Sequence, residues 1–163
     1  VNDEMVTMMD VLPTVAAFTG AQMPMDRIID GYDIRPILSG DRGVRSTYDD
    51  AGFFYYHMHQ LQAVRSGPWK LYLPLKSKIP GLNVQGMSSG RTQTPATLFD
   101  VRHDLGETKN VAAEHPAIVE RLMAMAEQAR VDLGDEGREG RNQRPAGWVE
   151  NPTPRLLTTG ALV

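Results

Sequence analysis

The chain has 163 residues, 41% hydrophobic and 23% charged, the composition of one ordinary globular domain or a small domain with flanking pieces. A formal net charge of −3 with no long basic run argues against a nucleic-acid partner, and no stretch of about 18 apolar residues is present to span a membrane. Cys is absent, which removes disulfides, thiolate catalysis and Cys-based zinc sites together.

The chain opens with Val1 and a Met-rich stretch that has neither an initiator Met nor the layout of a signal peptide, so it reads as the continuation of a longer polypeptide. The first element lies in DVLPTVAAFTGA. With Asp10 as N-cap, Pro13 falls in the first turn, where its missing N–H has no helical partner to lose. Val11, Leu12, Val15 and Phe18 then share one face and Gly20 ends the helix, which predicts a short buried helix. Pro24, Gly31, Pro36 and Gly40 punctuate the following segment, and Asp30-Gly31 is a turn signal, so residues 22–43 read as a connector.

Strands are expected at 53–58, 61–66, 69–73 and 96–101, the first for its aromatic content. The second and third pair as a hairpin through Ser66-Gly67-Pro68. Between the third and fourth lies a Gly-, Ser- and Pro-rich segment without a period. After the fourth, RHDLGETKN forms a turn. The strongest helix is expected over 116–133, with Pro116 at N1, a stripe of Ile118, Leu122, Met125 and Ala129, and Gly134 ending it. The last thirty or so residues carry Gly and Pro at short intervals with Arg138, Arg141, Arg144 and Arg155, and read as an extended arm or disordered tail. This order predicts an α+β fold: a small antiparallel sheet of about four strands packed by a C-terminal helix. The expected divisions are 1–45, 46–134 and 135–163.

Several of these segments resemble the sulfatases. MDVLPTVAAFTGAQMP followed by IDGYDIRPILSG is similar to the junction where the last helix of the large sulfatase domain leads into the small one. LQAVRSGPWKLYL resembles the hairpin of the C-terminal subdomain. TLFDVRHDLGETKNVAAEHPAIVERL is similar to that family's strand, acidic turn and terminal helix, and ARVDLGDEGREGRNQRPAG resembles the tail of bacterial arylsulfatase-like members. The resemblance implies a sulfate-ester hydrolase with a large alkaline-phosphatase-like α/β domain ahead of these residues, so that the first helix is the last one of that domain. It also implies a formylglycine nucleophile from a Cys/Ser-x-Pro-x-Arg motif and a calcium-type cation, both upstream of Val1. Partners implied are a sulfated small molecule or glycan and the protein's own N-terminal catalytic domain, in a periplasmic or secreted bacterial enzyme. A phosphonate or phosphodiester hydrolase of the same superfamily is the alternative within the enzyme class. A free-standing, non-catalytic interaction domain is the alternative outside it.

No catalytic or metal-ligating residue is assigned within the chain. Ser66-Gly67-Pro68-Trp69-Lys70 superficially matches the nucleophile motif with Lys in place of Arg, but Ser, Gly and Pro are expected in a hairpin turn for backbone reasons. His57 and His59, two apart, would project from one face of a strand; they are candidates for substrate contact, against the plainer reading of a hydrogen-bonded edge strand. With no third ligand evident they do not make a metal site. Arg65 and Lys70 could meet a sugar sulfate, though pairing with nearby carboxylates is the commoner fate. Asp30 and Asp33 fall far short of the oxygen shell that calcium takes. The 74–95 segment, with Lys76, Lys78 and Arg91, is either a specificity loop or a mobile surface loop. Asp104 and Glu107 are expected to orient backbone N–H groups near Asn110, and Trp148 to anchor the arm.

Overall fold

Two runs either side of Gly67-Pro68 alternate their side chains between two environments, and that alternation builds the sheet. A computed structural model describes residues 2–75, 95–143 and 149–151. In it strands β1 (Phe53–His57), β2 (Gln60–Ser66), β3 (Trp69–Tyr72) and β4 (Thr97–Asp100) form one antiparallel sheet in sequence order. Gly67 takes a φ of 58°, the left-handed region that a two-residue hairpin turn asks of its first central residue. Ser66 pairs with Trp69 across it, and Arg65 with Lys70.

One face of the sheet carries Val64, Leu71 and Leu98 against helix α4 (Pro116–Asp132). Leu122 and Ala126 come from the helix, with Ile118 and Met125 beside them, at the three-and-four spacing that puts one helix stripe on one surface. Leu122 is wholly buried, and a Leu side chain removed from water in this way contributes about 1.5–3 kcal/mol. The expected α+β fold, a four-stranded antiparallel sheet covered by the C-terminal helix, is the observed one.

A bulge falls where Tyr55 pairs with Ala63 but Tyr56 pairs with Leu61, so Gln62 is the extra residue. Its side chain turns back to the Gln60 amide oxygen, and Leu61, Gln62, Ala63 and Val64 are all buried. The outer edge of β4 is closed rather than open. Asn110 Oδ1 accepts from Leu98 N at 3.0 Å and from Ala112 N at 3.0 Å, while Val111 N donates to Leu98 O at 2.9 Å. These bonds satisfy backbone groups that an edge strand would otherwise present to other chains.

Upstream, a 3-10 turn at Met8–Asp10 leads into helix α1 (Val11–Thr19), which ends on Gly20 at φ 71°. Short helices α2 (Arg35–Leu38) and α3 (Tyr48–Ala51) follow. The boundaries of α1 agree with the sequence, but its environment does not. Val11, Leu12, Val15 and Phe18, expected to be buried, are exposed, Phe18 to 64%, and the buried residues of the helix are Thr14 and Ala16. The connector packs against the narrow polar side of the helix, with Thr14 Oγ1 accepting from Ile34 N and Arg35 donating to Ala17 O at 2.8 Å.

Asp30-Gly31 is likewise not a turn. Gly31 lies outside any turn, helix or strand, and a Cβ there would overlap the Met9 carbonyl, so the glycine serves close backbone approach. The segment after α4 departs from an extended arm as well: β5 (Gly134–Asp135) and β6 (Arg138–Glu139) form a small ladder folded back on the sheet. The 76–94 part of the proposed specificity loop, with Lys76, Lys78 and Arg91, lies outside the described residues, as do Arg144, Trp148 and Arg155.

Candidate functional site

The sheet face turned away from α4 is neither apolar nor simply solvated. The register places Phe53, Arg65, Lys70 and Phe99 in one cross-strand row and Tyr55, Ala63, Tyr72 and Thr97 in the next. Lys70 Nζ sits 4.9 Å from the Tyr55 ring centroid and 4.7 Å from that of Tyr72, and it meets Glu107 Oε1 at 2.7 Å. Burial by itself would lower the pKa of this ammonium; the hydrogen bonds to Glu107 and Tyr72 outweigh that and raise it. Lys70 is therefore a cation held in an aromatic and carboxylate frame. Pairing with a carboxylate is the fate expected for it, and Glu107 takes that role from a left-handed backbone position at φ 51°.

Asp104 does what the acidic turn was expected to do, accepting from Thr108 N at 2.7 Å and Lys109 N at 2.9 Å. Those bonds and the Thr108 hydroxyl hold its carboxyl below the usual range, with the Lys109 N–H the largest contributor. Arg65, the cross-strand partner of Lys70, donates only to Gly67 O at 3.1 Å among the described residues. A cleft of about 540 Å³ opens over this face, lined among others by Asp3, Tyr55, Arg65, Lys70, Arg102 and Glu107.

His57 and His59 do not share a strand face. Strand β1 ends at His57, which pairs with Gln60, and Met58 and His59 form the two-residue turn between them. Met58 adopts φ 54°, which breaks the period-two alternation on which same-face projection depends. His59 is exposed and His57 half-buried, with its Nδ1 enclosed and without a hydrogen-bond partner. Among the described residues no group of three His, Asp or Glu side chains could hold a metal ion. Asp33 is engaged by Arg35 at 2.8 Å.

Ser66 is 2% exposed. Its hydroxyl donates to Asp49 O and accepts from Arg121 at 2.8 Å, which joins the hairpin turn to α3 and α4. No open space faces it, so the hairpin serine is framework.

Two constellations escaped the sequence. Asp10 is fully buried and accepts from Thr7 N at 2.6 Å, Tyr32 N at 2.8 Å and Tyr48 Oη at 2.8 Å. Burial, the first cause, pushes the Tyr48 phenol up to about 12. Asp135 accepts from Arg130 Nε at 2.7 Å and Leu61 N at 2.9 Å, which fastens the β5–β6 ladder to β2. Tyr56 reinforces the seam by donating to Gly134 O at 2.8 Å. Asp10 reads in sequence as a helix N-cap and Asp135 as the start of a tail, and only their distant partners separate them from ordinary surface acids.

The sequence profile of the C-terminal region of aryl-sulfatase matches residues 49–151, which covers the sheet, α4 and the β5–β6 ladder. The chain belongs to the aryl-sulfatase family. Within this sulfatase C-terminal region, Ser66, Lys70, Asp104, Glu107 and Arg121 all fall inside the matched span. Steryl-sulfatase of Mus musculus is 34% identical over 148 residues, covering 80% of this chain and 23% of that protein. Steryl-sulfatase of Homo sapiens is 35% identical over 148 residues, covering 78% and 24%. The sulfatase region in hand thus spans 23% and 24% of the length of these two curated relatives. A crystal structure described as Ps i-CgsB in complex with k-i-k-neocarrahexaose shares the fold, with a TM-score of 0.55 at 20% identity over 77% of this chain and 24% of that one.

Proposed function

We propose that this region is the C-terminal part of a sulfatase that hydrolyses aryl or carbohydrate sulfate esters, and that its own residues support a reactive centre supplied by an N-terminal catalytic domain of the same polypeptide. The observation that carries the reading is the family match over 49–151 together with relatives that are themselves sulfatases. The physical demands of sulfate-ester cleavage fit this division. An attacking nucleophile, a cation to neutralise sulfate oxygens and a general acid for the leaving alcohol are all required. Among the described residues no metal cluster is present, and Ser66 is sealed in framework bonds. In this proposal formylglycine and calcium belong to the catalytic domain.

The exposed apolar face of α1 supports the proposed architecture. Val11, Leu12, Val15 and Phe18 form an apolar helix face that the described residues do not cover. Contiguous exposed apolar surface of this kind marks a contact with other structure. We assign it to the catalytic domain, with residues 1–45 as the junction. His57 and His59 stand as candidates for substrate contact, His59 because it is exposed at the β1–β2 turn and His57 because its enclosed Nδ1 has no partner. The carbohydrate branch of the substrate range is favoured by the structural relative in complex with k-i-k-neocarrahexaose, an oligosaccharide.

The deciding experiment compares 4-nitrophenyl sulfate with bis(4-nitrophenyl) phosphate, each offered to the whole polypeptide encoded with these residues and to the 163-residue chain alone. Sulfate turnover by the whole polypeptide and none by the short chain is the expected result. Preference for the phosphodiester would move the protein to the sister activity. Turnover by the short chain would overturn the division of labour. His59→Ala is expected to raise KM for a sulfated sugar while leaving thermal stability unchanged.

A further inference from the structure

Among the described residues, the cleft over the outer sheet face carries one more cation than carboxylate. Three described cations, Arg65, Lys70 and Arg102, and two described carboxylates, Asp3 and Glu107, line it. Glu107 is committed to Lys70. Among the described residues neither Arg65 nor Arg102 has a carboxylate within ion-pair distance, Asp3 included. Arg65 uses Nε on Gly67 O, which leaves the two terminal nitrogens of its fork without an acceptor among the described residues. It lies directly opposite Lys70 across the β2–β3 ladder, but the one described carboxylate beside that pair, Glu107, is taken up by Lys70.

We propose that this face binds a sulfo group of a multiply sulfated sugar chain, with Arg65 and Arg102 as the anion-binding forks. A planar guanidinium with free terminal N–H groups matches the paired oxygens of a sulfo group better than an ammonium does. The cleft volume falls within the range of small-molecule sites, and the neighbouring ring of Tyr55 offers an apolar surface for the C–H face of a sugar. Lys70 keeps that ring in place through its cation–π contact and does not take the anion, since Glu107 already neutralises it. The identity of the anion rests on the sulfatase reading; the existence of an anion site rests on Arg65 and Arg102 alone.

The test uses the whole polypeptide and two probes, a heparin hexasaccharide and its chemically desulfated form, with affinity measured by calorimetry at low and at physiological salt. Arg102 is exposed, so R102Q leaves the fold intact. It is expected to weaken hexasaccharide binding about tenfold, as loss of a charge-assisted fork does. R65Q is expected to act in the same direction, with Arg65→Lys restoring only part of the affinity. Arg42→Gln removes an equal charge from an exposed position outside this cleft and serves as control. Equal losses in R42Q and R102Q, or unchanged binding in R102Q, would overturn the site. Equal binding of the desulfated sugar would overturn its preference for sulfo groups. A polypeptide that turns over no sulfate ester, yet loses hexasaccharide binding in R102Q, would remove the enzymatic reading and leave the anion site standing.

Discussion

Arg121, from the second turn of α4, donates to the buried hydroxyl of Ser66 at 2.8 Å, across 55 residues of chain. The same hydroxyl donates to Asp49 O. One small side chain thereby ties the β2–β3 turn to two helices. S66A removes both bonds and leaves a carbonyl and a guanidinium short of a partner, a loss of about 1–3 kcal/mol. Urea unfolding should show the midpoint falling with an unchanged slope. Sulfate-ester turnover per folded molecule should be preserved in the whole polypeptide. If S66A folded normally and abolished turnover outright, the framework assignment would be wrong.

The Asp10 carboxylate organises the region upstream of the sheet by accepting three bonds, from Thr7, Tyr32 and Tyr48. D10N keeps the shape but brings an NH2 group against those donors. About 1–3 kcal/mol of stability should be lost. G31A acts on the same neighbourhood by another route, since its methyl group would overlap the Met9 carbonyl. Thermal melts of the two variants should both fall, and the double variant should lose less than the sum, because both disturb one contact surface.

Acid sensitivity is assigned to the β5–β6 seam. Burial raises the pKa of Asp135, but the Arg130 guanidinium and the N–H groups of Leu61 and Glu136 outweigh it and hold the carboxyl below the usual aspartate value. A depressed folded-state pKa means that the stabilisation is present above the unfolded value of about 3.9 and is lost as pH falls through the folded one. The stability gap between the natural chain and D135N should therefore be widest near neutrality and close in the acid range below about pH 4. A gap constant from about pH 7 down to the acid limit would dissociate Asp135 from the seam's stability.

The α1 face predicts opposite behaviour in two contexts. Leu12 and Val15 are about half exposed in this chain, so L12E/V15E should alter its stability by no more than about 0.5 kcal/mol, as is usual for surface changes. In the whole polypeptide the same pair should lower the melting temperature clearly, because two charges would enter a buried contact. Equal small effects in both would mean that the face stays exposed and is not the junction with the catalytic domain.

The elements that depend on neighbours in sequence were legible without coordinates. A turn at Gly67-Pro68 between two alternating runs, Pro116 opening an amphipathic stretch and Gly20 closing a short one are local statements about φ, hydrogen-bond donors and side-chain period. They sufficed for the antiparallel sheet and the covering helix; the family resemblance rested on whole segments such as TLFDVRHDLGETKNVAAEHPAIVERL. What the period could not supply was which partner each side chain meets. Apolar residues on one face of α1 read as core, yet the described residues place no surface over them. Asp10 read as a helix N-cap, Asp135 as the start of a tail and Ser66 as a turn residue, yet bonds reaching 22 to 74 residues away made them fastenings between distant segments. The same holds for Arg65 and Lys70: equal as cations in linear order, they became different only when folding brought Glu107 to one and left the other facing a cleft. Local sequence sets backbone geometry because its interactions span a few residues; the fate of a charge is set by whatever the closed chain brings within a few ångströms, and linear order does not encode that distance.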